Sequence, residues 1–170
     1  MQRVLVIGSP GSGKTTLSTR LAAKLAVPVH YLDLQHWDPG WRYRKASEAR
    51  ERVRMLTEMP QWVMDGNFAE TFDLRMPRAD TLIWLDYPRV TCLRRILART
   101  MKDYGTQKPD LPEGCPEKFD AGLLRFTWHF PKESRPQITA ALERFGGHLH
   151  VLRLCNDRDV AAFARAQGLA

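Results

Sequence analysis

Eight residues near the start of the chain, Gly8-Ser9-Pro10-Gly11-Ser12-Gly13-Lys14-Thr15, match the pattern GxxxxGK[ST] without a mismatch. The chemistry that needs this spacing is the grip on a polyphosphate. Glycines admit backbone angles closed to other residues and let amide N–H groups approach phosphate oxygens. A helix starting at the lysine turns its positive end toward the anion. The Lys14 ammonium reaches the β- and γ-phosphates, and the Thr15 hydroxyl is a ligand for Mg2+. The run from Gly8 through Thr16 is therefore the expected nucleotide-binding segment, with ATP and Mg2+ as its occupants. A guanine-reading Asn-Lys-x-Asp segment is absent, and Cys155-Asn156-Asp157-Arg158-Asp159 gives a weak signal for adenine instead.

Magnesium at such a loop calls for a second acidic group at a strand end. Asp65, after Trp62-Val63-Met64, is the first choice as a metal ligand. Asp86, after Leu82-Ile83-Trp84-Leu85, is the second, although its place before Tyr87-Pro88 suits a helix cap. Asp33 follows another apolar run and would lie across the cleft. A carboxylate there can bind an acceptor hydroxyl or take its proton, and a plain loop turn is the competing reading. Trp37, Trp41 and Tyr43 crowd the same stretch, either to stack on a ring or to cover a core edge. Arg95 and Arg99 share a helix face, and Arg135 lies further on in Lys132-Glu133-Ser134-Arg135-Pro136. Jointly they are candidates to neutralise a transferring phosphoryl group; singly, each reads as a surface ion pair.

These side chains need a frame. Val4 to Ile7, Val27 to Leu32, Trp62 to Met64, Thr81 to Leu85 and Leu149 to Leu154 read as short buried strands. Between them, apolar residues recur at helical spacing: Leu17, Leu21 and Leu25; Ala49, Val53 and Leu56 within about 46–59; Val90, Leu93 and Leu97; Val160, Phe163 and Ala164. Alternating strands and helices predict an α/β fold with a parallel sheet and right-handed crossovers. Ligands of such sheets sit at the carboxyl ends of the strands, where Gly8, Asp33, Asp65 and Asp86 fall. We expect one domain over 1–170, with an insertion over about 104–136 between the fourth and fifth strands. Gly105, Pro109, Pro112, Gly114 and Pro116 open it, and Phe119, Leu123, Phe126 and Phe130 follow on one helical face before a break at Pro131. The insertion reads as a mobile lid or as a helical hairpin packed permanently on the body.

The formal net charge of +7 and pI of about 9.7 draw polyanions, nucleoside phosphates or nucleic acid. Arg89, Arg94, Arg95, Arg99 and Lys102 form a basic cluster, so non-specific DNA binding is an alternative function; no helix-turn-helix, zinc finger or aromatic-basic strand accompanies it. Three scattered cysteines, Cys92, Cys115 and Cys155, fit reduced thiols in the cytoplasm rather than a zinc site. No apolar run approaches the length of a membrane span. Oligomeric state is not legible in these residues.

Taken together, the residues resemble the adenylate-kinase-like P-loop kinases in the loop at Gly8–Thr15, in Asp65-Gly66, in Leu85-Asp86-Tyr87-Pro88, and in Arg95, Arg99 and Arg135. A closer likeness is to the bacterial topology modulation protein family. It rests on the Gly-Ser-Pro-Gly-Ser-Gly-Lys start, on Leu32 to Trp37, on Asp65-Gly66-Asn67, and on the stretches 113–120 and 130–136. The resemblance implies a three-layer P-loop NTPase fold with a five-stranded parallel sheet in order 2-3-1-4-5 and a helical lid. It implies an ATP-dependent kinase with a nucleotide, nucleoside or other small molecule as acceptor, and the family's name implies a role in DNA topology. Adenylate kinases carry Asp-Gly-Phe-Pro-Arg after the third strand, whereas this chain has Asp65-Gly66-Asn67-Phe68-Ala69. The arginine that would grip a nucleoside monophosphate is missing there. Arg42, Arg44, Arg75 and Arg78 are left as substitutes, and Asp33 would favour a neutral, hydroxyl-bearing acceptor.

Overall fold

The computed structural model describes residues 1–169. Strand β1 (Arg3–Gly8) is buried from Val4 onward. Its side chains alternate, Val4 and Val6 into one core and Leu5 and Ile7 into another, as a strand covered on both faces requires. The chain then runs through α1 (Lys14–Leu25), β2 (Val29–Tyr31), a single helical turn α2 (Asp33–His36), a hairpin of β3 (Trp37–Asp38) and β4 (Arg42–Tyr43), and α3 (Ala46–Thr57). Strand β5 (Trp62–Asp65), a short α4 (Phe72–Arg75), β6 (Thr81–Leu85), α5 (Arg89–Asp103), α6 (Ala121–Phe145), β7 (His150–Leu154) and α7 (Asp157–Ala166) complete it. The sheet order is β2-β5-β1-β6-β7, all neighbours parallel. Counting only the strands of this sheet, that is 2-3-1-4-5, as expected. Helices cover both faces. Leu17, Leu21 and Phe163 from α1 and α7 pack on one side; Phe72, Phe130 and Ile138 from α4 and α6 pack on the other.

The register brings the chemistry to one edge. Val6 lies opposite Asp65, Tyr31 opposite Asp65, Gly8 opposite Leu85, and Leu85 opposite Leu154. The residues that follow these positions share the carboxyl edge of the sheet. Strands β5 and β6, consecutive in this sheet, flank β1, and a crevice opens where the strand order changes direction in this way.

Two expectations need correction. The helix through Pro131 does not break. Pro131 and Pro136 both lie inside α6. Each removes an N–H from the ladder, yet burial of Phe130 and Ile138 against the sheet holds the helix in register across them. Asp86 does not cap α5, whose cap position is Pro88. Its carboxylate is buried and accepts from Arg135 Nη2 at 2.8 Å and from Arg153 Nε at 2.8 Å. The crowded aromatic stretch forms the β3–β4 hairpin, with Trp37 edge-on to both Trp41 and Tyr43.

Among the described residues no helix is long and apolar enough to cross a membrane. Cys92, Cys115 and Cys155 are all free thiols. If α6 is docked as firmly as its burial indicates, Phe130→Ala will destabilise the chain by about 3–5 kcal/mol. Chemical denaturation measures this, and a loss under about 1 kcal/mol would show that the helix is not part of the core.

Candidate nucleotide and acceptor site

The turn from β1 into α1 is built for close backbone approach. Gly8 has φ 148°, and a Cβ there would stand 2.4 Å from the Leu85 carbonyl oxygen. Gly11 has φ 75°, and its Cβ would meet the Cys92 carbonyl oxygen at 2.5 Å. Both positions are closed to any residue with a side chain. Ser9 and Ser12 are buried, and Gly13 precedes the first turn of α1 in a left-handed conformation. Lys14 Nζ donates to the Ser9 carbonyl at 3.1 Å, which holds the ammonium across the loop. The first turn of α1 contains no acidic residue, so its positive end is not neutralised locally.

This loop is tied to the end of β5 at two points. Thr15 Oγ1 donates to Asp65 Oδ2 at 2.7 Å. The Asn67 side chain clamps Gly8: its Oδ1 accepts from the Gly8 N–H at 2.9 Å and its Nδ2 donates to the Gly8 carbonyl at 2.6 Å. Asn67 is itself fixed from behind. Fully buried Arg75 donates to Thr71 Oγ1 at 3.0 Å, to the Gly66 and Phe68 carbonyls at 3.1 Å each, and to the Asn67 carbonyl. Among the described residues it has no ion-pair partner, and burial pulls its pKa down to about 9. Asp65 is buried, and its Oδ1 has no hydrogen-bond partner among the described residues. Burial raises its pKa, which the nearby Lys14 ammonium and the Thr15 hydrogen bond oppose. An orphaned carboxylate oxygen beside a hydroxyl is a donor set of hard oxygens, which fits Mg2+.

The three candidate arginines are held by three different carboxylates. Arg95 pairs with Asp157, lies 4.5 Å from the Tyr87 ring centroid, and reaches the Ser12 carbonyl at 3.4 Å. Tyr87 also donates to Asp157, at 2.7 Å. These residues border a cleft of about 260 Å³ that Thr16, Leu17, Val160 and Ala164 help to line. Arg99 pairs with buried Glu117 at 3.1 Å, and Glu117 also accepts from Thr100 at 3.0 Å and pairs with Lys108 at 3.4 Å. Arg135 pairs with Asp86.

Asp33 opens α2 directly beyond β2, and the neighbouring Leu32 N–H donates to the Asp65 carbonyl at 2.9 Å. It is half-buried. Burial, and after it the Asp65 charge, raise its pKa to about 6, with Asp110 adding to the rise and Lys14 and Arg99 opposing it. The 104–120 segment reaches over this side. Cys115, fully buried, accepts at Sγ from the Trp41 N–H at 3.1 Å, and Lys118 Nζ stands 5.4 Å from the Trp41 ring centroid. Arg44 and Arg75, two of the arginines left as substitutes for the missing phosphate grip, serve the scaffold. Arg44 is buried and binds Asp38 and the Leu34 and Gln35 carbonyls. Arg42 and Arg78 are exposed.

Sequence reasoning singled out the segments 65–67, 113–120 and 155–159 but gave no individual role to Asn67, Glu117 or Asp157, nor to Asp110. Asn67 could have been found, because it stands two places beyond a strand-end Asp, where a side-chain amide can meet the loop across the sheet. The other three lie in irregular or helix-start segments whose partners are distant in the chain.

A family profile described as AAA domain matches residues 4–124. A 72-residue stretch is 33% identical to the probable inactive ATP-dependent zinc metalloprotease FTSHI 5, chloroplastic, of Arabidopsis thaliana; the stretch is 42% of this chain and 5% of that relative. The chain thus spans a small fraction of the curated relative that it matches. Among solved structures, shikimate kinase from Acinetobacter baumannii in complex with shikimate superposes with a TM-score of 0.58 at 17% identity, covering 99% of this chain and 94% of that one. A gluconokinase from Sinorhizobium meliloti 1021 gives a TM-score of 0.57 at 14% identity, covering 99% and 91%. Shikimate kinase from Bacteroides thetaiotaomicron gives 0.52 at 22% identity, covering 99% and 97%. These likenesses establish a shared P-loop kinase fold.

Two outcomes follow from the geometry. Asn67→Ala removes both arms of the clamp on Gly8 and should weaken Mg·ATP binding by about tenfold, measured by calorimetry; unchanged affinity would show that the loop holds its shape unaided. Asp33 has a folded-state pKa above its unfolded one, so the folded chain binds that proton more tightly. Its contribution to stability therefore falls as pH rises from about 4 to about 6 and is a cost at pH 7. Asp33→Asn should raise stability at pH 7 by about 1 kcal/mol and flatten that part of the pH profile. A variant less stable than the parent at pH 7 would contradict this.

Proposed function

The chain belongs to the AAA domain family, and from that premise we propose that it is an ATP-dependent phosphotransferase acting on a small hydroxyl-bearing molecule. The observation that carries the reading is the pairing of a complete phosphate loop with Asp33, a carboxylate of raised pKa on the opposite side of the same sheet edge. Residues Gly8 to Thr16 would hold the triphosphate. Thr15 and Asp65 would hold Mg2+, which neutralises phosphate charge when bound. The cleft beside Tyr87, Arg95 and Asp157 would take the base and sugar. Asp33, ionised above about pH 6, would accept the acceptor's hydroxyl proton while that oxygen bonds to the γ-phosphorus and ADP departs.

Arg99 and Arg135 would stabilise the charge on the moving phosphoryl group, together with Lys14 and Arg95. The lid in this reading is the irregular stretch between α5 and α6, since α6 itself is anchored by Phe130 and Ile138. Closing it excludes water from the transfer. Glu117 supports that role, because it joins the stretch to Arg99 and Thr100 of α5.

Within the family we place the chain beside the adenylate-kinase-like kinases and the topology modulation proteins, on the motifs at 8–15, 32–37, 65–67, 113–120 and 130–136. A cytoplasmic location agrees with three free thiols. The other reading, a regulator of DNA topology that binds DNA non-specifically, draws on the net charge of +7, on the basic cluster Arg89, Arg94, Arg95, Arg99 and Lys102, and on the name of the resembled family. Two of its five clustered cations, Arg95 and Arg99, are engaged by Asp157 and Glu117.

Purified protein should bind Mg·ATP and release ADP faster when its acceptor is added. Lys14→Ala should abolish both. Arg99→Ala should lower the stimulated rate by about a hundredfold or more with little change in thermal stability. An Arg99→Ala rate equal to the parent's would remove that residue from the mechanism, and no Mg·ATP binding by the parent would refute the reading as a whole.

A further inference from the structure

Helix α5 carries a face that neither the core nor the nucleotide site uses. Cys92, Ile96 and Thr100 are its buried side. Arg95 reaches the Ser12 carbonyl of the phosphate loop, and Arg99 pairs with Glu117. Away from these stand Val90, Arg94, Leu97 and Met101, with Tyr104 next in step just past the last helical residue. They are alternately four and three residues apart, the spacing of a coiled-coil seam. At 3.6 residues per turn they fall within about 80° of arc, and Arg99 lies about 180° from its centre. The apolar members are open to solvent: Val90 is 57% exposed, Leu97 41%, Met101 83% and Tyr104 70%. Most of the large apolar side chains exposed among the described residues lie between Val90 and Trp128. Single exposed apolar residues are ordinary, whereas a stripe in one register marks a contact surface.

The free charges beside the stripe are of one sign. Helix α5 holds five cations, Arg89, Arg94, Arg95, Arg99 and Lys102, and one acid, Asp103. Lys108 takes Asp103 at 2.9 Å, while Asp157 and Glu117 take Arg95 and Arg99. Arg89 lies over the Trp128 ring of α6, 3.9 Å from its centroid. Arg94 and Lys102 are exposed and, among the described residues, form no salt bridge. On α6, Arg125 and Lys132 are exposed as well, and the exposed acid there, Glu133, stands 4.0 Å from His129.

We propose that this face of α5 is the docking surface for an amphipathic helix of negative charge on a partner protein. The seam spacing is what a second helix reads, knob by knob. Arg94, inside the stripe, receives an acid of that helix and fixes its register, and Lys102 meets another at the border. A second copy of this chain fits less well. Two α5 helices would bring their unpaired cations together without an unpaired acid on either to offset them. A lipid surface takes an unbroken apolar face with cations along its border, and here Arg94 interrupts the face. A nucleic-acid backbone has no use for four apolar side chains in line. The face points away from the phosphate loop, so the proposal stands apart from the phosphotransferase reading.

The probe is a synthetic helix of about three heptads, cross-linked to stay helical, with Leu at both core positions and Glu at the flanking ones. A control peptide carries Lys in place of Glu. Binding to the full chain is read by fluorescence anisotropy. The expected result is a Kd of about micromolar order for the acidic peptide, at least about tenfold weaker for the control and for Met101→Glu, and weakening as salt rises. Arg94→Glu should narrow the preference for the acidic peptide severalfold. Thermal melts and Mg·ATP calorimetry should leave both variants level with the parent. Equal binding of the two peptides, or binding of neither, overturns the proposal. So does binding of the acidic peptide that Met101→Glu and Arg94→Glu leave unmoved. A dimer in sedimentation equilibrium that Met101→Glu dissolves also overturns it and assigns the face to a second copy. Tighter binding to phosphatidylglycerol vesicles or to duplex DNA than to the peptide, lost in Met101→Glu, overturns it in favour of a membrane or of nucleic acid.

Discussion

The geometry of the nucleotide site depends on a relay of hydrogen bonds that fixes one peptide. Arg75 holds the carbonyls of Gly66, Asn67 and Phe68; Asn67 then holds both the N–H and the carbonyl of Gly8. Gly8 begins the phosphate loop at a backbone angle that only glycine tolerates against the Leu85 carbonyl. A buried guanidinium without a carboxylate partner is costly, since desolvation of the charge is not offset by an opposite charge. Here several carbonyl and hydroxyl acceptors take its donors, so that the cation acts as a rigid bracket. The bracket orders the end of β5, and the end of β5 orders the loop after β1.

The same sheet edge concentrates charge of both signs. Parallel register places the exits of β2, β5, β1, β6 and β7 side by side, so that residues far apart in the chain meet there. Most of these charges are paired: Asp86 with Arg135 and Arg153, Glu117 with Arg99 and Lys108, Asp157 with Arg95. Each pair holds a guanidinium or an ammonium in a set direction, which limits reorganisation when an anion arrives. Asp33 and Asp65 stand apart from this pattern, with raised pKa values and, among the described residues, without ion-paired arginines. Perturbed carboxylates cluster at functional sites, which marks this edge of the sheet as the candidate site.

The 104–120 segment is joined both to the β3–β4 hairpin and to α5. The Cys115 thiol meets the Trp41 N–H on the β3–β4 hairpin, and Glu117, two residues on, grips Arg99 on α5. Hairpin, 104–120 segment and α5 are therefore connected through a few contacts.

Local periodicity by itself determined much of this protein. The glycine spacing at 8–15, the strand at Thr81–Leu85 and the helix beginning at Ala46 were legible because each depends on residues within a few positions of one another. So was the α/β class, which follows from the alternation of strand and helix patterns. The tertiary structure alone decided the rest. Pro131 reads as a break, yet packing of Phe130 and Ile138 carries α6 through it. Arg75 reads as a spare cation for a ligand, yet burial makes it a bracket. Asp86 reads as a cap, yet two arginines from 49 and 67 residues away claim it. The reason is common to all three: burial, which only the assembled sheet and helices decide, sets which partners each group must find, and its energy exceeds the local preferences that a sequence displays.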